Sequence, residues 1–364
     1  MKVSQIAAAL EEIAPLNLQE SYDNSGLLIG SHNQIIHKAL ITLDVTEAVI
    51  DEAINANCEL IIAHHPMIFK GIKKLTGGNL TERLIVKAIK NDIVIYAIHT
   101  NLDNVSQGVN KKLAEKLKLQ NVKILQHSKS ELMKLVVFCP VDYFEKVRTA
   151  MFESGAGHIG NYSDCSFNTS GTGSFKAMDG SSPFVGEQGK MHEEKEIRIE
   201  TIVPGYRISA VLKAIIKAHP YEEVAYDIYP LNNTDPTIGA GMIGELKQEE
   251  EAKTFLQKVK KTLGTPYLRH NSLIQRKVKK VAICGGSGSF LIDTAHRAGA
   301  DIFISGDIKY HEFFEHKGEM TVADAGHFET EQFTKDLLYD ILKEKFPNFA
   351  LQISGTDTNP VSFL

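Results

Sequence analysis

The sequence of 364 residues predicts an α/β core made of two related halves, interrupted by a small α+β domain. Three observations indicate this organisation. A strand-helix-strand pattern occurs at 38–66 and again at 279–313. A strand followed by a histidine and an amphipathic helix occurs at 91–117 and again at 318–346. The segment between the two halves has a different order of elements, so we expect a second domain there.

In the first half, KALITLDVTEAVIDEAINANCELIIAHHP (38–66) predicts a strand, a helix and a buried strand that stops at two histidines and a proline. NDIVIYAIHTNLDNVSQGVNKKLAEKL (91–117) predicts another strand, then His99, Asp103 and a helix. Ligands of α/β proteins bind at the carboxyl ends of the strands. These polar residues are therefore site candidates.

The second half repeats the pattern. Its first helix contains IDTA where the first half has IDEA, and its later strand leads to His327 and Glu331 in GHFETE. A shorter match joins NSGLLIG (24–30) to GAGMIGE (239–245). Three matches in the same order indicate an internal duplication, with the two halves facing each other around a pseudo-twofold axis.

The inserted segment reads β-α-β-β-α-β, which is the ferredoxin-like pattern. Within it, the Gly/Ser-rich stretch TSGTGSFKAMDGSSPFVGEQGK (169–190) predicts a long loop, either disordered or a lid. We expect a discontinuous core of 1–126 plus 236–364, and an inserted domain at 127–235.

Composition excludes several classes of partner. The net charge of −5 is spread along the chain without a lysine or arginine block, so neither nucleic acid nor a membrane is expected as a partner. No apolar run reaches membrane-spanning length, and acidic residues interrupt the N-terminal region where a secretory signal would be apolar, so a cytoplasmic location is expected. The four cysteines are far apart and form no CxxC motif. Any metal must be held by His, Asp and Glu.

Pro66 ends the strand before it, which leaves the adjacent His64 and His65 free to enter one site. The alternative is a pair of hydrogen-bonded structural histidines. A spacing of four residues, as between His327 and Glu331, can put two ligands on one helix face, although it also suits a plain stabilising pair. The full candidate set from both halves is His64, His65, His99, Asp103, Asp307, His311, His327 and Glu331.

Imidazoles and carboxylates without thiolates suit Zn, Mn, Fe, Co or Ni. Eight candidates are enough for two ions that share a bridging carboxylate or water, and the natural reaction class is hydrolysis. The loop CGGSGS (284–289) has neither the Walker lysine nor a complete GxGxxG, so it favours a tight turn between strand and helix over a phosphate cradle.

Six segments in this order resemble the Nif-three-like family, whose members are called GTP cyclohydrolase I type 2 homologues or dinuclear metal centre hexameric proteins. The segments are SYDNSGLLIG, IIAHHPMIF, HTNLDN, ICGGSGSF, SGDIKYHE and AGHFETE. HPYEEVAYDIYPL resembles the PII/CutA-like middle domain of longer bacterial members. The resemblance covers the whole chain.

The resemblance implies a toroidal homohexamer that holds two divalent transition-metal ions per subunit, with zinc expected. It implies five metal ligands, which are His64, His65, Asp103, His327 and Glu331. The cyclohydrolase name implies that an activated water attacks C8 of GTP, or acts on a related nucleotide or small molecule. His99, Asp307 and His311 are then candidates for acid/base catalysis, or for orienting the ligands.

A second function stays open from the sequence. In it the chain is a non-catalytic metal-binding scaffold, a metal chaperone or a regulator, and its PII-like insert senses a ligand or a partner.

Overall fold

The computed structural model describes residues 1–128 and 132–362. The chain divides into two compact units, and each has its own buried apolar residues. One unit, the core, comprises Met1–Gln126 and Thr237–Leu364, and the other, the insert, comprises His127–Pro236.

The strands, in chain order, are β1 (Gly26–Ile29), β2 (Lys38–Thr42), β3 (Leu60–Ala63), β4 (Val94–Ala97), β5 (Gln120–His127), β6 (Leu132–Pro140), β7 (Ser166–Lys176), β8 (Met191–Pro204), β9 (Tyr226–Pro230), β10 (Gly239–Glu250), β11 (Arg269–His270), β12 (Val278–Ser287), β13 (Ile302–Gly306), β14 (Thr321–Asp324) and β15 (Ala350–Ile353).

The α-helices are α1 (Val3–Ile13), α2 (Glu47–Asn55), α3 (Leu80–Lys90), α4 (Thr100–Asp103), α5 (Val109–Lys116), α6 (Phe144–Glu153), α7 (Ile208–Ala218), α8 (Ala252–Leu263), α9 (Ile292–Arg297), α10 (His327–Glu331) and α11 (Thr334–Lys345). Short 3-10 helices include Ser289–Leu291 and Tyr310–Phe314. Across residues 1–128 and 132–362, no helix has the length and apolar character needed to cross a membrane.

The first half of the core forms a five-stranded sheet in the order β1-β4-β3-β2-β15. Strands β4, β3, β2 and β15 are parallel, and β1 is an antiparallel edge. The three central strands are short apolar runs that are buried almost throughout, as expected for parallel strands covered on both faces. Thr46 caps the N-terminus of helix α2, because its hydroxyl accepts a hydrogen bond from the Val49 N–H at 3.2 Å.

The second half forms a six-stranded sheet in the order β11-β14-β13-β12-β10-β5. Its strands β12, β13 and β14 are parallel and repeat the β2-β3-β4 unit of the first half. The antiparallel strands differ, however, because β1 pairs with β4 whereas β10 pairs with β12, at the other side of the parallel unit. The match between NSGLLIG and GAGMIGE therefore does not mark equivalent positions in the two sheets.

The insert is a four-stranded antiparallel sheet in the order β7-β8-β6-β9. Its elements follow the order β-α-β-β-α-β, with α6 and α7 as the helices. Apolar residues of β6 and β8 pack with those of the helices, and Val137, Ile199, Val147, Val211 and Ile215 are fully buried. This strand order confirms the ferredoxin-like fold.

The long loop predicted at 169–190 is only partly present. Strand β7 continues through the Gly/Ser-rich residues to Lys176 and pairs with β8, where Lys176 lies opposite Met191. Low strand propensity is overridden here by pairing with a long neighbour strand. Gly173 also has a spatial role, because a Cβ atom there would lie 2.2 Å from the Glu196 carboxylate. The true connection is residues 177–190.

Candidate metal centre

The candidate residues of both halves meet at the carboxyl ends of the parallel strands. His64 and His65 follow β3, His99 lies two residues beyond β4, and Asp307 directly follows β13. His327 begins α10, just after β14. His65, His99, Asp307 and His327 line one cavity of about 1290 Å³ within the core. The placement follows the general rule that α/β sheets present ligand-binding groups at this edge.

Glu331 is central to the cluster because its two carboxylate oxygens face different partners. Its Oε2 lies 3.0 Å from His65 Nε2 and 3.1 Å from His327 Nε2, and these two nitrogens are 3.4 Å apart. Ligand atoms around a tetrahedral zinc ion are about 3.3 Å apart, since each metal bond is about 2.0–2.1 Å long. We call His65, His327 and Glu331 the outer group.

The other Glu331 oxygen, Oε1, faces a second set, which we call the inner group. Oε1 is 3.9 Å from His64 Nε2, and that nitrogen is 3.6 Å from Asp103 Oδ1. His64 is fully buried, and among the described residues neither its Nε2 nor Asp103 Oδ1 has a hydrogen-bond partner. Leaving a buried polar atom unpaired costs about 1–3 kcal/mol. A cation between them would remove that cost, so the donor set fits a metal ion.

Each of the three histidines is held through its Nδ1 atom. His64 Nδ1 lies 2.8 Å from the Ile98 carbonyl oxygen, to which it donates a hydrogen bond. His65 Nδ1 lies 2.7 Å from Asp44, and His327 Nδ1 lies 2.7 Å from Asp307. Such partners fix the tautomer and ring orientation of metal-binding histidines. In all three the Nε2 atom is left facing Glu331.

His99 adjoins the inner group and is oriented in the same manner. Its Nδ1 lies 2.8 Å from Asp23 Oδ1, and its ring centroid is 5.3 Å from those of His64 and His65. Asp23 is itself fixed, because its Oδ2 accepts hydrogen bonds from the Thr100 N–H at 3.0 Å and the Ser25 hydroxyl at 3.1 Å. His99 can therefore serve as a proton acceptor or as an additional ligand.

The three residues predicted for acid/base roles are placed differently. His99 and Asp307 both line the cavity, but the Asp307 carboxylate contacts His327 Nδ1 and is suited to orienting that ring. His311 is exposed on the 3-10 helix Tyr310–Phe314, where its ring centroid lies 5.2 Å from that of Tyr310 and 6.4 Å from that of Phe314. Within the described part of the chain, His311 belongs to neither the cavity lining nor a metal-capable group. Its catalytic role stays a prediction.

Burial and charge act differently on the two groups. Burial lowers the pKa of His64 to about 3, so this imidazole is neutral and its lone pair is available. Burial also opposes protonation of His65 and His327, but hydrogen bonds to Glu331 and to their second carboxylates outweigh it and raise the pKa values to about 10 and about 9. Burial, and then the charge of Glu331, raises the pKa of Asp103. An ion entering the outer group must therefore displace protons.

The glycine-rich segment 284–289 forms the wall behind Glu331. Strand β12 extends into it, and a short 3-10 helix and α9 follow, as a tight turn between strand and helix requires. Gly286 has φ of +61°, and a Cβ atom there would lie 2.1 Å from Glu331 Oε1. Its N–H donates to the Thr330 hydroxyl at 2.9 Å, and the Gly285 N–H donates to Asn110 at 2.9 Å. These amides stabilise the wall.

Sequence reasoning missed two carboxylates of the site, Asp23 and Asp44. Asp44 lies two residues beyond β2, so the rule that selected the histidines after β3 and β4 could also have selected it. The hydroxyl of Thr358, in the C-terminal segment, donates a hydrogen bond to the Asp44 carboxylate at 2.6 Å. Asp23 precedes β1 and gave no comparable signal, because its partner His99 is 76 positions away in the chain.

An α/β core in which histidines and carboxylates of two halves form the inner and outer groups, with His64, His65 and His99 as a further metal-capable group, defines a class of candidate metal-binding proteins. The chain belongs to the Duf34/NIF3 (NGG1p interacting factor 3) family, whose model matches residues 1–360. The family resemblance noted from the six sequence segments is thereby confirmed.

Relatives support the assignment over the whole length. The chain is 43% identical over 368 residues to the GTP cyclohydrolase 1 type 2 homolog of Bacillus subtilis (strain 168), covering 99% of this chain and 98% of that one. It is 42% identical over 361 residues to the protein of the same name from Halalkalibacterium halodurans, covering 97% and 96%. The crystal structure of a Bacillus cereus protein related to NIF3 superposes with a TM-score of 0.86, at 40% identity and with 100% and 99% covered.

Proposed function

We propose that the chain is a hydrolase that uses two divalent metal ions to act on a small molecule in the core cavity. One observation carries the proposal, which is that the two oxygens of Glu331 reach two separate histidine groups. A carboxylate in this position can bridge two ions. His64, Asp103 and Glu331 would hold one ion, and His65, His327 and Glu331 the other, with zinc as the first candidate.

When bound, the two ions would polarise a substrate oxygen and make a water molecule more acidic. The chain itself supplies a group to accept the proton from that water. His99 donates through Nδ1 to Asp23, so its Nε2 carries the free lone pair beside the inner group. Asp23 thus has a positioning role.

The substrate class that we propose is a nucleotide or a related small molecule. The names of the curated relatives make GTP the first compound to test. The cavity suits a planar ring, since its lining includes the exposed aromatic side chains of Tyr22, Phe69 and Phe290. Among the described residues that line it, Arg269 is the single lysine or arginine, and it pairs with Asp324. Phosphate charge would therefore be balanced mainly by the metal ions.

We also propose a homohexamer as the functional assembly. Light scattering on the purified protein tests it directly, and a mass of six chains is the expected result. A monomer or dimer at micromolar concentration would contradict this proposal without bearing on the metal centre.

Metal analysis of the purified protein, followed by a turnover screen that begins with GTP and other nucleotides, tests the hydrolase proposal. We expect turnover by the metal-loaded protein and its loss in His64→Ala and Glu331→Gln. His37→Ala is the matched control, because it removes an exposed histidine that also pairs with a carboxylate, Glu59, at 2.8 Å. Tight binding of two ions without turnover of any compound would instead support the scaffold or regulator alternative.

A further inference from the structure

A second cluster of histidines and carboxylates lies at the other end of strand β14. His316 and Glu319 are in the turn that leads into β14, whereas His327 and Glu331 follow the strand. His296 lies in the last turn of α9, and Asp293 in its first turn. None of these four side chains belongs to the inner or outer group. The cluster is therefore separate from the candidate metal centre.

The distances within the cluster are short. His296 Nε2 lies 2.7 Å from Glu319 Oε2, and His316 Nε2 lies 2.7 Å from Asp293 Oδ1. The two imidazole rings are stacked, with centroids 3.8 Å apart and planes inclined by 10°. One nitrogen or oxygen atom from each of His296, His316 and Glu319 lies within 4.8 Å of the others, and the same holds for Asp293, Glu315 and His316.

Two ordinary ion pairs do not account well for this arrangement. As true ion pairs, both contacts would need protonated imidazoles, and two imidazolium rings stacked at 3.8 Å would repel each other. A neutral imidazole can also donate its Nε2–H to the carboxylate, but it brings no positive charge. If the rings are neutral, the negative charges of Asp293, Glu315 and Glu319 lack a cationic partner, because no lysine or arginine of the described chain lies within 4.0 Å of their carboxylates.

One divalent cation resolves both problems, since it binds neutral imidazoles and balances the carboxylates. Because the rings are nearly parallel, their lone pairs lie in nearly parallel planes, so both rings must turn out of the stack to bind the same ion. The histidine side chains are 32% and 22% exposed, so an ion can enter from solvent. Two imidazoles with carboxylates suit zinc, nickel, cobalt or copper rather than calcium or magnesium.

We propose that His296, His316 and Glu319 form a peripheral site for one divalent transition-metal ion, with Asp293 and Glu315 available as further ligands. The bound ion would link helix α9 to the turn before β14. Because the site shares no ligand with Glu331, it does not depend on the proposed hydrolase function.

The test is equilibrium dialysis of the full-length protein against increasing Zn²⁺, followed by metal analysis, with and without His316→Asn. Asparagine suits this position because His316 has φ of +49°, a left-handed conformation that asparagine tolerates better than most residues. We expect the wild type to bind one more equivalent of Zn²⁺ per chain than His316→Asn. Glu319→Gln should lower the affinity for this additional ion at least tenfold. His37→Ala, which removes the exposed pair with Glu59, should keep the wild-type count.

A second measurement separates this site from the candidate metal centre. In a Glu331→Ala background the extra equivalent should remain, and Zn²⁺ should raise the melting temperature only when His316 is present. The proposal is overturned if His316→Asn binds as many equivalents as the wild type. It is equally overturned if His37→Ala loses the same equivalent, because the binding would then be a general property of exposed histidines.

Discussion

Two motifs in this chain have the same spacing and different outcomes. In the second half of the core, His327 and Glu331 are four residues apart and approach to 3.1 Å within one metal-capable group. In the first half, His99 and Asp103 have the same separation, but Asp103 faces His64 and His99 donates to Asp23.

The backbone explains the difference. Helix α10 begins at His327, so His327 and Glu331 are both helical and lie on one face, as residues four apart do. Helix α4 begins one residue after His99, which has φ of −120° and ψ of −114° and is not helical. A spacing of four residues therefore predicts a shared ligand site only where the helix includes both positions.

The largest effect on metal content is expected from Glu331→Gln. Glutamine keeps the shape of the side chain but has no negative charge and only one oxygen, so it cannot serve both groups. Removing the hydrogen-bond partner of a metal ligand lowers metal affinity by roughly 10–100-fold. Changing the ligand itself should lower the affinity for both ions by more than that. Metal analysis after dialysis measures this. Retention of both ions would show that Glu331 is not a bridge.

Smaller effects are expected from changes in one group alone. His327→Ala should remove the outer ion and leave one ion per chain, and Asp103→Asn should do the same for the inner ion. Because the groups share only Glu331, each variant should keep the other ion. Isothermal titration with Zn²⁺ gives the stoichiometry. Loss of both ions in either variant would mean that the two sites bind only together.

The two variants also allow the pH dependence of each group to be measured. The raised pKa values of His65 (about 10) and His327 (about 9) mean that both carry protons at pH 6–8, and the outer ion must displace two. His64, with its pKa lowered to about 3, has none to lose, so the inner ion displaces at most the proton of Asp103.

Each displaced proton weakens binding by up to about tenfold per unit fall in pH. The affinity for the outer ion is measured in Asp103→Asn and the affinity for the inner ion in His327→Ala. From pH 8 to pH 6, the affinity for the outer ion should therefore fall more steeply. Equal slopes in the two variants would contradict the contrast in protonation between the groups.

The smallest effect on metal content is expected from His99→Ala. His99 donates to Asp23 and lies outside the inner and outer groups, so both ions should stay bound. His99 also forms a metal-capable group with His64 and His65, which makes this variant a test of whether it is a ligand. Turnover should fall about 10²–10⁴-fold if His99 accepts the proton. Asp23→Asn should also lower turnover, since it changes the tautomer and the orientation of His99. Loss of an ion in His99→Ala would show that His99 is a ligand. The His99–Asp103 motif would then supply two metal ligands, as the His327–Glu331 motif is proposed to do.

Several features were predictable because they depend on local pattern. The strand ends carrying His64, His65 and His327 follow from apolar runs that stop at polar residues, and the ferredoxin-like order of the insert follows from its periodicity. The Gly/Ser-rich residues before Lys176 were misjudged, because their strand is stabilised by pairing with β8 rather than by their own propensity.

The sequence by itself determined which residues could bind metal, since imidazoles and carboxylates after buried strands are visible without a structure. Only the tertiary structure decided how they combine. Glu331 lies 266 positions from His65, and their 3.0 Å contact depends on the packing of the two halves, not on spacing along the chain. Packing likewise buries His64 and leaves its Nε2 without a hydrogen-bond partner in the described structure, which is the strongest physical sign of a cation.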